Sequence, residues 1–215
     1  MASATTVLPR GPHNLTREEV EASQRERILV AMAQTVGDAG FVNTSVADVV
    51  SRAGVSRATF YGLFAGKDDC FAATYDWAAQ RIAAVLAATA RATASAGTDG
   101  DPIERLRVVL HAYLGWLGAA PDLARTFLVE VYAAGPAAIE QRHTSLGLFV
   151  DLVADVFGDR PGPLGNRPEQ RFAVEALVSA VSSMVTHLVG TGRTDELAGL
   201  EEPMIAVARE LRAAT

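Results

Sequence analysis

The chain has 215 residues, of which 49% are apolar, and a formal charge of −6 at pH 7. The apolar share excludes a globally disordered chain, and the negative balance excludes a protein that coats nucleic acid through overall positive charge. The single cysteine, Cys70, excludes an intramolecular disulfide and fits a reducing compartment.

Residues 1–16 carry Pro9, Gly11 and Pro12 among small polar neighbours and read as a flexible arm, without the apolar core of a secretory signal. From Thr16 to Ala39 the pattern is helical, with Val20, Ile28, Ala31 and Met32 on one face and Gly40 as the stop. Ser45 followed by Asp48 has capping-box form and starts a short helix through Ala53. Gly54 ends that helix, and Ser56 caps the next, Arg57 to Phe64, after two residues. Two short helices joined by a tight glycine turn are a helix-turn-helix. Phe60 and Phe64, four residues apart, face the core.

Residues 1–76 hold nine acids against seven lysines and arginines, so any hold on DNA must come from a local patch. Ser51 to Lys67 supplies one, with Arg52, Arg57 and Lys67 and no acid between them. A recognition helix presents its N-terminal residues to base edges in the major groove. Arg57 has the reach for guanine or phosphate, Thr59 for a thymine methyl or phosphate, and Tyr61 offers a phenol at the rim. Lys67 joins a cation to the free N–H groups of a helix start, and the Thr44 hydroxyl lies at the start of the preceding helix.

The order Ile28-Leu29, Gly40-Phe41, Thr44-Ser45-Val46, Ala53-Gly54-Val55-Ser56, Thr59-Phe60-Tyr61, Phe64 and Lys67 resembles the DNA-binding domain of the TetR family of transcriptional regulators. The resemblance implies DNA contacts by Thr44, Ser56, Arg57, Thr59, Tyr61 and Lys67. Three positions depart from the family pattern. Leu63 stands where many relatives carry histidine, Gly62 where they carry a larger residue, and Cys70 where leucine is usual.

A fourth helix starts at Lys67 and runs to about Ala94, ending at a linker over 96–101. Ile103, Leu106, Leu110, Tyr113 and Leu117 make an amphipathic helix, and Pro121 and Pro136 each start another. Residues 158–168 form a Pro/Gly-rich loop, and two helices, about 169–191 and 194–213, close the chain. The most apolar stretch, Val174–Val189, is interrupted by Glu175, serines, Thr186 and His187, so no membrane span is expected.

No catalytic signature occurs after residue 80, and His111, His143 and His187 lack metal-ligand spacing, so no enzyme activity, cofactor or metal is expected. Helices apolar on more than one side can pack on one and line a cavity with the other. The resemblance implies a mostly apolar effector pocket in the middle helices, with His111, Tyr113, Trp116, Phe127, Tyr132, Phe149 and Met184 as candidate lining. It also implies a homodimer through the last two helices. Ala176, Ser179, Ala180 and Ser183 lie on one, and Leu197, Leu200, Met204, Ala208 and Leu211 form a stripe on the other.

The reading is therefore an all-α fold of about nine helices: an arm (1–16), a three-helix DNA-binding domain (17–66), and a ligand-binding and dimerisation domain (67–215) entered by a long coupling helix. The function expected is a cytoplasmic, ligand-responsive repressor on a palindromic double-stranded operator. A helical binding protein or enzyme keeping the helix-turn-helix as scaffold, and an activator of the same family, are the alternatives.

Overall fold

The computed structural model describes residues 16–95, 101–158 and 162–213; the arm over 1–15 and most of the 96–101 linker lie outside the described residues. Among the described residues the fold is all-helical. α1 is Arg17–Ala39, α2 Val46–Ala53, α3 Arg57–Leu63 and α4 Lys67–Ser95. α5 is Pro102–Ala119, α6 Pro121–Leu128, α7 Pro136–Phe157, α8 Pro168–Gly190 and α9 Glu201–Ala213. Short 3-10 helices cover Glu130–Ala134 and Thr194–Leu200.

Local chemistry sets these boundaries. Thr16 and Ser45 each close a full capping box, with Glu19 and Asp48 returning the bond to the cap N–H. Prolines open α5, α6, α7 and α8, where the missing N–H costs nothing. Gly54 takes φ +63° and ψ 40°, the left-handed geometry that ends α2 and makes the tight turn into α3. Arg27 of α1 then clamps that turn: its guanidinium donates to the carbonyl of Ala53 at 2.6 and 3.0 Å and to that of Gly54 at 2.7 Å. A cation on the last carbonyls of α2 also complements the negative end of its dipole.

Two apolar cores form. The first gathers Ile28, Leu29, Met32 and Val36 of α1, Val49 of α2, Phe60 of α3 and Phe71 of α4. It is completed from the far side by Phe127 of α6, Val131, and Ala138 of α7. Val20, expected on the buried face of α1, is instead exposed, because the first turns of α1 extend beyond the apolar core, which the helix enters from Ile28 on. The second core joins α5, α7, α8 and α9 through Ile103, Leu117, Ala154, Val174, Val185 and Ile205.

The C-terminal stretch departs from the expected single helix by breaking into a 3-10 turn and α9 at Leu200–Glu201. The stripe assigned to a dimer surface is corrected as well: Leu197, Met204 and Ala208 are buried within the chain, against α5 and α8. The short α9 spends its apolar side on its own core. On α8, Val178 and Val185 are likewise buried, while Phe172, Ala176, Ser179 and Ser183 form an exposed row. α8 is long and apolar enough to cross a membrane by length and composition alone, yet Val174, Leu177, Leu188 and Val189 are packed in the second core.

Candidate nucleic-acid interface and ligand chamber

α3 lies at the surface with Phe60 buried beneath it and Arg57, Ala58 and Tyr61 exposed. Phe60 supports the Tyr61 ring edge-on at 5.4 Å and the Phe64 ring at 5.5 Å. Ser56 caps the helix: its Oγ accepts from the Thr59 N–H at 3.0 Å and lies 2.9 Å from the Thr59 hydroxyl. Ser56, Arg57, Thr59 and Tyr61 are thus brought together on one solvent-facing helix.

The other two candidates are placed differently. Thr44 is buried, and its hydroxyl donates to the Gly40 carbonyl at 2.9 Å; Ser45, one residue on, is the cap of α2. Thr44 faces the core because the turn after α1 folds back onto that helix's last carbonyls. Lys67 is half-buried, its Nζ 2.9 Å from the Phe41 carbonyl and 4.2 Å from the centre of the Phe41 ring. Its charge is shared with the α1–α2 turn, which fixes the start of α4 against the reading head. Arg57, by contrast, is exposed and takes part in no ion pair among the described residues.

A second site lies in the body, a chamber of about 110 Å³ walled by α4 through α9. α4 contributes Tyr75, Ile82 and Leu86; α5 Val109, Tyr113 and Trp116; α6 Phe127 and Leu128; α7 Arg142, Ser145 and Phe149; α8 Val178, Val181 and Ser182; and α9 Met204. Tyr75 meets Phe127 edge-on at 5.4 Å, and Tyr113 meets Phe149 at 5.9 Å. Burial pushes the Tyr113 phenol up to about 12 and raises that of Tyr75, so both remain protonated donors at neutral pH.

Of the expected lining residues, Tyr113, Trp116, Phe127 and Phe149 line the chamber. His111, Tyr132 and Met184 do not. His111 is exposed and bonds Glu201 at 2.8 Å, because one helical step from Leu110 turns it about 100° away from the wall. Met184 is exposed on α8, about 160° around the helix from Ser182. Tyr132 is half exposed and reaches the site through Arg142: its hydroxyl accepts from Arg142 Nε at 3.1 Å and its ring centre lies 5.4 Å from the guanidinium carbon.

Arg142 is the residue that the sequence reading missed. A signal was there: Ala138, Arg142, Ser145, Phe149 and Val153 recur at +4, +3, +4, +4, so the arginine stands in the apolar stripe of its helix. It is buried, and its fork bonds the Phe127 carbonyl at 3.3 Å, Ser182 Oγ at 2.9 Å and Thr186 Oγ1 at 3.1 Å. Burial opposes its charge, but the phenol oxygens of Tyr75 and Tyr132 more than offset that, and its pKa is raised.

Chamber and reading head meet at α6. Thr126 donates to the Ala33 carbonyl of α1 at 2.8 Å, while the neighbouring Phe127 and Leu128 line the chamber. Glu130, held by Arg125 at 3.1 Å, accepts from the Phe41 N–H at 3.0 Å. Phe41 is the residue that holds Lys67. A path of direct contacts therefore runs from the chamber wall to the start of α4 on a route that does not follow α4 itself.

Fold and site define a helix-turn-helix domain joined to an all-helical body that holds a mostly apolar chamber. Residues 28–74 match the family model for bacterial regulatory proteins of the tetR family. No curated protein matches the chain in sequence. Among solved structures it is similar to the fatty acid degradation regulator FadR of Bacillus halodurans, at 18% identity and TM-score 0.71, over 85% of this chain and 96% of that one. It is also similar to Bacillus subtilis FadR in complex with stearoyl-CoA, at 14% identity and TM-score 0.69, over 85% and 96%. Thermus thermophilus FadR, a TetR-family repressor in complex with lauroyl-CoA, matches at 21% identity and TM-score 0.63, over 85% and 92%.

Proposed function

We propose that this protein is a cytoplasmic repressor without enzymatic activity, which binds a palindromic operator as a homodimer and leaves it when a small, mostly apolar molecule occupies the chamber. The observation that carries this reading is the position of α6. One residue of that helix bonds the backbone of α1 and the next two wall the chamber. A ligand that prefers a shifted α6 shifts α1 with it, and a small displacement in each protomer changes the spacing of two α3 helices on DNA. Such a ligand moves the equilibrium only by its difference in affinity for the two forms.

The exposed row Phe172, Ala176, Ser179 and Ser183 on α8 is the surface we assign to the partner protomer. A short recognition helix reads few bases, and a two-fold pair on an inverted repeat supplies both affinity and spacing. The acyl-CoA ligands of the two FadR relatives make acyl compounds the first effectors to try. The test is selection of binding sites from random duplex DNA at a fixed salt concentration, followed by release with octanoate and octanoyl-CoA. An enriched inverted repeat released by either compound supports the reading; absence of any enriched site at low salt overturns it.

A further inference from the structure

The chamber has one feature that an uncharged ligand does not explain. Arg142 lines it while buried, and the partners of its guanidinium are neutral: the Phe127 carbonyl, the Tyr75 and Tyr132 phenols, and the Ser182 and Thr186 hydroxyls. No carboxylate is within ion-pair distance of it among the described residues. Hydroxyls and a carbonyl satisfy the donors of a guanidinium but supply no opposite charge, so the chamber holds a cation whose fork has no anion to meet. Several arginines at the body's surface are matched with acids, as Arg107 is with Glu104 and Glu201, and Arg209 with Glu104.

We propose that the chamber takes an apolar monoanion, a carboxylic acid whose carboxylate pairs with Arg142 while its hydrocarbon body fills the space between α5 and α7. This rests on the chamber being the effector site, and it names the effector's class. The arginine's planar fork matches a carboxylate in two parallel bonds. Ser182 and Thr186, which now accept from Arg142, are hydroxyls free to turn and donate to the arriving oxygens. Ser182 and Ser145 line the chamber beside Arg142, so the polar groups collect at one end of a wall that is otherwise aliphatic and aromatic. A coenzyme A thioester satisfies this arrangement less well. Its acyl end is uncharged and leaves Arg142 unmatched, and its several phosphates call for more than the one cation that the wall provides.

The experiment measures binding to the purified protein by calorimetry, without DNA, using octanoate, octanamide and octanoyl-CoA. The amide has nearly the same shape as the acid and no charge. Octanoate binding about ten- to a hundred-fold tighter than octanamide is expected, with that preference lost in Arg142→Met while octanamide binding is kept. Equal binding of acid and amide, binding of octanoyl-CoA alone, or binding of none of them overturns the proposal. So does an Arg142→Met protein that keeps the preference. Should that variant fail to fold, the wild-type comparison decides, since a purely structural arginine gives no preference between acid and amide. Octanoate that binds but leaves a protein–operator complex intact upholds this inference and counts against ligand-controlled release.

Discussion

The Thr126 hydroxyl donates to the Ala33 carbonyl at 2.8 Å while also lying 3.0 Å from the Asp122 carbonyl, so one side chain ties α6 to α1 across the boundary between the two cores. Thr126→Val keeps the shape and removes the tie. The expected cost is about 1 kcal/mol of stability, read as a melting temperature lower by roughly 2–4 °C. Operator affinity without ligand is expected near the wild-type value, with release by octanoate or octanoyl-CoA weakened. Release that matches wild type in extent and midpoint would remove this contact from the coupling path.

Gly37 marks the closest approach of the same two helices. A Cβ built there falls 2.6 Å from the Asp122 carbonyl oxygen and 2.8 Å from its Cβ. Alanine in mid-helix is normally favoured over glycine by about 1 kcal/mol, but here the collision with backbone reverses the sign, and Gly37→Ala should destabilise by about 1–3 kcal/mol. Gly62 on α3 is the counterpart, since a Cβ there meets nothing within 4 Å. Gly62→Ala should therefore stabilise by about 0.5–1 kcal/mol. Thermal and urea unfolding of the two variants give opposite signs, and the same sign in both would mean that α1 and α6 separate easily.

How much of this was legible follows the range of the interactions. Ser45, Asp48, Gly54 and Ser56 specify their caps and turn by bonds within a few residues, and the helix-turn-helix could be placed from them. Tyr113, Trp116, Phe127 and Phe149 came from the resemblance together with helices apolar on more than one side, and they lie on the chamber wall. The apolar pattern did not show that His111 and Met184 turn out to solvent. It could not show that Leu197, Met204 and Ala208 face their own chain, since a stripe states that a face is covered and not by what. Arg27 and Glu130 were invisible for another reason, since their partners lie 26 to 89 residues away. Arg142 was marked by its place in an apolar stripe, but its partners lie on three separate elements that the sequence does not bring together.

Arg57 and Lys67 make separable predictions although both are cations in the reading head. Arg57 is exposed. Arg57→Ala should leave the melting temperature unchanged and lower operator affinity by about 1–3 kcal/mol if it reads guanine, or flatten the salt dependence by about one ion if it holds phosphate. Lys67 also bonds the Phe41 carbonyl and covers its ring. Lys67→Met should lower affinity and cost about 1 kcal/mol of stability together. Gel-shift titrations at two salt concentrations beside thermal melts separate the cases, and a Lys67→Met protein as stable as wild type would assign that residue to DNA alone.

Cys70 gives a prediction in pH. Burial pushes its thiol from the ordinary 9.0 up to about 12, the nearby Thr74 hydroxyl offsetting only part of the effect. At neutral pH the folded chain therefore holds an un-ionised, fully enclosed thiol, and alkylation by iodoacetamide should wait on unfolding. The alkaline side follows by linkage. Between about pH 9 and 12 the unfolded chain releases a proton that the folded chain keeps, so this residue's contribution to stability is intact below about pH 8 and falls as pH rises through that window. The slope is at most about 1.4 kcal/mol per pH unit. Other alkaline groups, Tyr113 among them, titrate alike in wild type and in Cys70→Ala, so the difference between the two isolates the thiol. That difference should be constant from pH 6 to 8 and shift steadily in favour of the alanine variant above pH 9; a difference that stays flat to pH 11 would place Cys70 within reach of water.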